Sequence, residues 1–338
     1  MKNKIIFFLL FMMIIAACRQ LNKENVVTEF PKKAQLSATV LKTEPVIFLP
    51  DKMLIINDQL WINQRMKNPT FDVFHLPDGE YLYSTGTKGQ GPNEFINTSV
   101  VQKLNDRIYI LDHPFVKINE IGDNGRLKTI DTYKPFIITP INGLIVLNEN
   151  LFCSFAYCAT GLTGKEEYRM SNRINGKEKV FSLYPKLSAA KYEGEQRCQI
   201  YIKRLVSNPK TLQFAAFYAY FKFIRFYNYD GVMEKEIFVE IPPYKPENVD
   251  DSDERMFYYI GVESTEKYIY ALCANSKPND DETLPEMQVW DWEGNPVIQY
   301  TFDKIFISFV VSEDDKKMYA TTYDNDDEIY VYDMIHLK

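Results

Sequence analysis

A residue pair that ends in an aromatic side chain recurs six times along this chain, at intervals of 43 to 62 residues. Each pair follows a short polar turn, and in most pairs the first residue is apolar. The six pairs are Leu60-Trp61, Ile108-Tyr109, Leu151-Phe152, Gln213-Phe214, Ile269-Tyr270 and Met318-Tyr319. A repeat of about 50 residues is typical of β-propellers, in which every unit forms a blade of four strands. The chain is therefore expected to fold as an all-β, six-bladed propeller.

Turns that end in glycine recur in phase with the aromatic pairs and mark a second hairpin in each unit. The combinations Asp-Gly and Asn-Gly suit tight hairpins because their residues tolerate a positive φ. The turns are Asp78-Gly79, Asn124-Gly125, Asn175-Gly176, Asp230-Gly231 and Glu293-Gly294. Apolar or alternating runs flank them, as in Phe71–Phe74, and indicate strands of a buried sheet. The pattern predicts blades of four antiparallel strands.

The sixth unit is incomplete, and this predicts how the ring closes. Glu328–Asp333 matches the strand before the glycine turn, but the chain stops at Lys338 without that turn or an outer strand. A propeller leaves no long unpaired edge when its ring closes. The missing strand is therefore expected from the N-terminal segment, with Ala38–Lys42 pairing beside Ile329–Tyr332.

The N-terminus has the features of a targeting segment. An uncharged apolar run, Ile5–Ile15, follows two lysines, and Ile15-Ala16-Ala17-Cys18 resembles the cleavage motif of bacterial lipoproteins. The resemblance implies cleavage before Cys18 and lipid attachment to that cysteine. A transmembrane anchor is the alternative, but this run is much shorter than the roughly 20 residues that span a bilayer. Lipid attachment is therefore the favoured interpretation, and it makes the membrane the first expected partner.

Three segments follow from this interpretation. Residues 1–17 form the signal peptide, the polar residues 18–33 form a flexible tether, and residues 34–338 form the propeller. Arg19, directly after the lipid site, is not the aspartate linked with retention at the inner membrane. The protein is therefore expected at the outer membrane of the cell envelope, on either its periplasmic or its exterior face.

The charge of the mature chain limits the choice of partners. Loss of Lys2 and Lys4 with the signal changes the formal net charge from −7 to −9. An acidic surface argues against nucleic acid, which binds basic patches. Single-domain propellers reach this length, so no second domain is required. We expect a monomer.

Four cysteines remain once Cys18 is set aside as the lipid site. They are Cys153, Cys158, Cys198 and Cys273. Cys153 and Cys158 would lie roughly 16 Å apart in one strand, too far for a disulfide unless a turn intervenes. Since the sequence has no Cys-x-x-Cys pair, a zinc site is not indicated. Buried free thiols are the simplest interpretation, and the disulfide state stays open.

A glycine-rich segment between the first two blades is more specific than the repeats. Gly89-Gln90-Gly91-Pro92-Asn93-Glu94-Phe95 resembles the signature of the six-bladed β-propeller lipoproteins of Bacteroidetes, often described as TolB-like or NHL-like propellers. With the lipoprotein motif and the blade pitch, the resemblance covers nearly the whole mature chain. It implies an exported, lipid-anchored ring, but neither an agreed activity nor a set of catalytic residues.

The same segment has two physical interpretations. In the first it is a corner between blades: the glycines and Pro92 set the backbone, Glu94 accepts backbone N–H groups, and Phe95 fills the space between blades. In the second, Lys88 and the glycines Gly89 and Gly91 cradle a phosphate. That spacing matches neither dinucleotide nor P-loop motifs, and no helix follows. The corner is favoured, with ligand contact by Lys88 left open.

Residues that carry chemistry are sparse. The histidines are His75, His113 and His336, and no motif joins them. Asp112 and His113 end a strand where they could reach a mouth of the channel, so they are the best weak candidates. Acidic runs such as Asp250–Glu254 could bind calcium, but solvated hairpin tips are the favoured interpretation. No cofactor, metal or catalytic residue is predicted.

The leading functional hypothesis is a binding or scaffolding module of the cell envelope. Its partner would be a glycan, a peptide or an envelope protein, held on the loops between blades or at the mouth of the channel. The alternative is a metal-dependent hydrolase or lyase acting on glycans or peptides at the channel. That alternative requires three or more His, Asp or Glu side chains that converge on one point.

Overall fold

The computed structural model describes residues 25–134, 143–156, 165–187, 195–244, 249, 251–278, 280, 282–322, 325–334 and 337. In these residues the chain forms six antiparallel sheets and one short helix, α1 (Glu195–Ile200). Each sheet contains four strands that are hydrogen-bonded side by side in an antiparallel order. Two sheets gain a fifth strand from the N-terminal segment. The predicted six-bladed propeller is confirmed.

The first three strands come from the N-terminal segment, and the next twelve form blades 1 to 3. The N-terminal strands are β1 (Val26–Val27), β2 (Lys33–Leu36) and β3 (Thr39–Lys42). Blade 1 contains β4 (Pro50–Ile56), β5 (Gln59–Gln64), β6 (Phe71–His75) and β7 (Tyr81–Thr85). Blade 2 contains β8 (Thr98–Leu104), β9 (Arg107–Asp112), β10 (Phe115–Ile121) and β11 (Leu127–Tyr133). Blade 3 contains β12 (Leu144–Asn148), β13 (Leu151–Phe155), β14 (Glu166–Asn172) and β15 (Glu178–Leu183).

The remaining strands form blades 4 to 6. Blade 4 contains β16 (Lys203–Asn208), β17 (Gln213–Tyr218), β18 (Phe223–Asn228) and β19 (Met233–Val239). Blade 5 contains β20 (Phe257–Ser264), β21 (Tyr268–Ser276), β22 (Glu286–Asp291) and β23 (Pro296–Phe302). Blade 6 contains β24 (Ser308–Val311), β25 (Lys317–Thr321) and β26 (Glu328–Asp333), with β3 as its fourth strand. The first strand of every blade contacts the first strand of the next, and β24 contacts β4. These six strands therefore surround a central channel.

The N-terminal strand β3 closes the ring. It pairs antiparallel with β26, with Leu41 opposite Ile329 and Val40 opposite Tyr330. The backbone N–H of Thr43 extends this pairing with a 2.9 Å bond to the carbonyl of Asp327. The predicted closing strand is confirmed.

The predicted tether of residues 18–33 needs correction in its described part. Val26–Val27 pairs parallel with Phe238–Val239 on the outer edge of blade 4, and β2 pairs parallel with β23 of blade 5. Between these strands Phe30 is buried, with its ring centroid 5.1 Å from that of Trp290. This segment is held to the ring because it pairs with unpaired strand edges and buries an aromatic side chain. Its polar composition gave no indication of this attachment.

The aromatic pairs that define the repeat lie in the core. Trp61, Tyr109, Phe152, Phe214, Tyr270 and Tyr319 are all buried. Among the residues that the structure describes, the buried apolar side chains form six clusters, one between each pair of adjacent blades. Each blade is thus held by packing against both neighbours.

Antiparallel pairing divides the connections between two faces of the ring. The hairpins between the first and second strands and between the third and fourth strands lie on one face, the turn face. They include the predicted glycine turns, with positive φ at Gly79, Gly125, Gly176, Gly231 and Gly294. The connections between the second and third strands, and those between blades, lie on the opposite face, the loop face. Among the described residues there is no helix with the length and apolar character needed to cross a membrane.

Candidate binding face

The glycine-rich segment forms a closed corner on the loop face, between blades 1 and 2. Backbone bonds join Gly89 to the carbonyl of Phe95 at 3.1 Å, and Phe95 to the carbonyl of Thr87 at 3.0 Å. The Glu94 carboxylate accepts the N–H of Gly91 at 2.8 Å. A Cβ atom added to Gly89 would lie 2.0 Å from Glu94 Oε2. The Glu94 carboxylate can therefore occupy this position only because Gly89 has no side chain.

Phe95 fills the space between the first two blades. Its side chain is buried in a cluster that contains Trp61 and Phe71 of blade 1 together with Ile108 and Ile110 of blade 2. This position explains why the segment ends in an aromatic residue, because the backbone of the corner places the Phe95 side chain in the joint between blades 1 and 2.

Asp112 fixes the end of the corner to blade 2. Its Oδ1 atom accepts the N–H groups of Ile96 at 2.8 Å and Asn97 at 2.7 Å. Its Oδ2 atom pairs with Lys117 Nζ at 2.8 Å, and this amino group also donates to the carbonyl of Glu94 and lies over the Phe95 ring. The carboxylate is therefore occupied by structural contacts. Asp112, predicted as a weak candidate at a channel mouth, anchors a connection between blades.

The other predicted site residues lie in separate places. His113 is half-buried in the connection from β9 to β10, on the loop face. Lys88 is half-buried in the corner, where its backbone N–H donates to Asn68 Oδ1 at 2.9 Å. His75 is at the opposite, turn face, where a hydrogen bond to Asp78 raises the pKa of its imidazole. Cys18 and His336 lie outside the described residues.

Exposed apolar side chains run along the loop face beside this corner. They are Val46, Phe48, Leu49, Met66, Ile96 and Phe115, each between 37 and 69% exposed. We refer to these six residues as the apolar strip. Hydrogen bonds connect the loops that carry it: Phe48 N–H to Gln64 Oε1 at 2.5 Å, Lys88 N–H to Asn68, and Ile96 N–H to Asp112. The strip therefore extends from the connection into blade 1 across to blade 2.

Side chains from blades that are not neighbours meet inside the channel. The amino group of Lys52 in blade 1 pairs with Glu263 in blade 5. Gln102 Nε2 of blade 2 donates to Ser207 Oγ of blade 4 at 3.2 Å. Because these blades are not neighbours in the ring, both contacts must cross the channel. Burial raises the pKa of the Glu263 carboxyl group, and the nearby Lys52 amino group partly offsets this effect.

Two further cross-channel interactions lie near the ends of the first strands. Lys103 Nζ of blade 2 lies 2.8 Å from Glu313 Oε1 of blade 6. Asp51, at the start of β4, lies within the electrostatic influence of Arg204 at the start of β16. Burial raises the pKa of Asp51, while Arg65, Lys52 and Arg204 oppose this shift. The channel is thus lined by paired charges along its length.

No metal site is evident in the part of the chain that the structure describes. Within it, no three His, Cys, Asp or Glu side chains come together to hold an ion. In the acidic run near Asp280, both Asp280 carboxylate oxygens accept bonds from Thr283, at 3.1 and 2.7 Å. That carboxylate caps its own turn.

Three cysteines are described, and none of the three forms a disulfide. Cys153 and Cys273 are buried, which raises the pKa of each thiol, and Cys198 is half-buried. Cys158 lies outside the described residues.

A buried charge network at the joint between blades 3 and 4 was not predicted. Glu167 Oε1 accepts Lys203 Nζ at 2.5 Å, and Glu167 Oε2 accepts Arg225 Nη1 at 2.7 Å. Tyr218 donates its hydroxyl to the same carboxylate, while Arg225 continues to Glu236 at 2.6 Å. Burial lowers the pKa of the Lys203 amino group, whereas Glu167 acts to raise it. Only the register of facing strands brings these residues together, so no local pattern signals the network.

The network ends at a cavity of about 500 Å³ on the outer side of this joint. Arg225 and Glu236 are among its polar lining residues, and Leu183, Met233 and Phe238 are among its apolar ones. Arg225 donates hydrogen bonds to Glu167, to Glu236 and to the Leu183 carbonyl, so its guanidinium has a structural role.

Comparisons with known proteins agree with this architecture. Residues 29–314 match the family model described as TolB-like 6-blade propeller-like. No curated protein sequence matches the chain. A member of the DUF4221 family from Bacteroides vulgatus is 10% identical, with a TM-score of 0.60 over 88% of this chain and 97% of that chain. A protein from Bacteroides fragilis named as exported is 11% identical, with a TM-score of 0.59 over 92% of this chain and 100% of that chain. At these identities the likeness shows the fold.

Proposed function

Since the chain belongs to the TolB-like 6-blade propeller-like family, we propose that it is a lipid-anchored protein of the cell envelope that binds a protein partner through its loop face. The observation that carries this proposal is the apolar strip beside the glycine-rich corner. Monomeric proteins rarely expose contiguous apolar patches larger than a few hundred Å², and larger exposed patches mark interaction sites.

The position of the strip also supports a binding role. Its residues lie on connections between strands and between blades, whereas the blades beneath them are held by packing and by the bonds of Glu94 and Asp112. Loops held on a rigid scaffold are where propellers and other β-folds place their binding residues. Phe, Met and Leu side chains suit the apolar centre of a protein interface.

Anchoring and location rest on the N-terminal motif. The residues Ile15-Ala16-Ala17-Cys18 support lipid attachment at Cys18, and Arg19 supports the outer membrane. A Bacteroides fragilis protein with the same fold is named as exported, and this name supports a place outside the cytoplasm. We place the chain there as a monomer whose membrane partner is reached through the lipid.

Two matched double variants test the binding face. Met66→Asp with Ile96→Asp places charges in the apolar strip, and Ile174→Asp with Leu212→Asp places the same charges on exposed apolar positions of the turn face. Partners would be captured by cross-linking in intact cells and quantified against the wild-type protein. We expect the loop-face variant to lose roughly tenfold or more of the captured partner, because buried unpaired charges cost more than 1.4 kcal/mol in an interface. The turn-face variant should retain it.

Equal capture by both variants would contradict the proposal, as would equal loss. Urea unfolding of all three proteins provides the control, because exposed substitutions of this kind should change the free energy of unfolding by no more than about 0.5 kcal/mol.

A further inference from the structure

We propose that the outer edge of blades 3 and 4 rests on the lipid bilayer, so that the apolar strip over blades 1 and 2 is presented on the side away from the membrane. The inference rests on the proposed lipid at Cys18 and adds an orientation to it. Three observations carry it.

The first observation is where the N-terminal segment becomes fixed. The carbonyl of Asn25 accepts the N–H of Phe238 at 2.9 Å, and the carbonyl of Val27 accepts the N–H of Glu240 at 2.8 Å. From there Phe30 is buried against Trp290, β2 joins blade 5 and β3 closes blade 6. The chain is therefore attached to the ring from residue 25 onward, and its point of attachment is the outer edge of blade 4.

The second observation is the short distance along the chain from this point to the lipid. Only residues 18–24 separate the attached segment from the lipid site. At 3.3–3.6 Å per residue, such a link spans at most about 25 Å when fully extended. A tether of residues 18–33 would have reached about twice as far and would have left the ring free to turn. The short link keeps the edge of blade 4 close to the lipid surface.

The third observation is the character of the surface around the attachment point. Four exposed apolar side chains lie here, with exposed fractions between 36 and 64%: Leu183 at the end of β15, Val232 just before β19, and Met233 and Phe238 within β19. We refer to these four residues as the apolar edge. Because β1 pairs with β19 so that Val26 lies opposite Phe238, the first attached residues lie beside the apolar edge and beside the cavity between blades 3 and 4, which Phe238 also lines. The link to the lipid therefore begins next to the apolar edge.

These observations together define the orientation. Apolar side chains flanking a lipid attachment point add to membrane affinity in proportion to the area they bury at the interface. In a ring of six blades, blade 4 lies opposite blade 1. When the apolar edge rests on the bilayer, Phe48 and Met66 of the apolar strip lie at the far side of the ring. A partner can then bind the strip without displacing the anchor.

A pair of methionines provides a matched test. Met233 belongs to the apolar edge and Met66 to the apolar strip, and both are exposed. Each would be replaced by tryptophan in the lipidated protein, reconstituted into phosphatidylcholine vesicles with or without brominated acyl chains. The wild-type protein supplies the background from Trp61, Trp290 and Trp292. We expect brominated lipid to lower the added fluorescence of Met233→Trp roughly twofold, since interfacial side chains enter the acyl boundary, and to leave Met66→Trp unchanged.

Equal quenching of both variants, or quenching of neither, would overturn the proposal. Phe238→Trp, which keeps an aromatic side chain at the edge, repeats the test if Met233→Trp does not fold. Intact-mass measurement shows separately whether Cys18 carries a lipid. If it carries none, the proposed anchoring fails, and a mature chain with an N-terminal hexahistidine on nickel-chelating lipid still decides the orientation by the same fluorescence ratio.

Discussion

Replacing Glu167 with glutamine is expected to lower the free energy of unfolding by about 3–5 kcal/mol, the usual cost of breaking a buried ion pair from one side. The Glu167 carboxylate is completely buried and binds Lys203, Arg225 and the hydroxyl of Tyr218. Glutamine preserves the size of the side chain but leaves two buried cations without their shared anion. Urea unfolding at neutral pH, followed by circular dichroism, measures the change.

Glu236→Gln is the matched control for this prediction. Glu236 binds the same Arg225 guanidinium but is 32% exposed at the cavity. Water can replace part of the interaction between Glu236 and Arg225, so we expect Glu236→Gln to lower the free energy of unfolding by about 1 kcal/mol or less. Adding Lys203→Met to Glu167→Gln should recover part of the stability, because one unpaired charge is removed. A single Glu167→Gln variant as stable as Glu236→Gln would contradict the assigned role of the network.

Replacing Phe95 with alanine is expected to lower the free energy of unfolding by about 3–5 kcal/mol, the usual cost of a large-to-small change in a core. The Phe95 ring packs between Trp61 and Phe71 of blade 1 and Ile108 of blade 2. Its loss leaves a cavity at the joint between blades, which the backbone bonds at Gly89 and Thr87 prevent from collapsing. The midpoint and slope of urea unfolding measure the effect.

The next residue in the chain provides the control for Phe95. Ile96 belongs to the same connection, but its side chain is exposed in the apolar strip. Ile96→Ala should therefore change the free energy of unfolding by no more than about 0.5 kcal/mol. If Phe95→Ala were equally mild, packing of the Phe95 ring would not hold blades 1 and 2 together.

Much of the fold could be predicted because propeller blades repeat. Each buried aromatic, such as Trp61 or Tyr319, fills an equivalent position, so the spacing along the chain reports the blade count directly. The closing strand followed from the incomplete sixth unit, and β3 pairs with β26 as predicted. The parallel additions of Val26–Val27 and Lys33–Leu36 could not be predicted in the same way. Both are short, and their pairing depends on a free strand edge that appears only when the blades have formed.

The candidate site was predictable only where it is local in sequence. Glu94 and Phe95 are close in the chain to the groups they contact, so their roles could be inferred from the corner itself. Lys52 and Glu263 meet across the channel although 211 residues separate them. The apolar strip is dispersed in the same way, because Phe48, Met66 and Ile96 belong to three different connections. Each looks like an ordinary exposed residue until the ring brings them together.

Hydrogen–deuterium exchange of the protein with its captured partner tests the central claim most directly. Exchange would be compared in the free and bound states across the connections at residues 44–49, 65–70 and 86–97 of the loop face. The turns at residues 173–177 and 209–212 of the turn face serve as the internal control. We expect slower exchange on binding in the three loop-face connections and no change in the two turns, because a bound partner shields the backbone it covers. Slower exchange confined to the turns, or to the edge of blade 4, would place the partner elsewhere and contradict the proposed binding face.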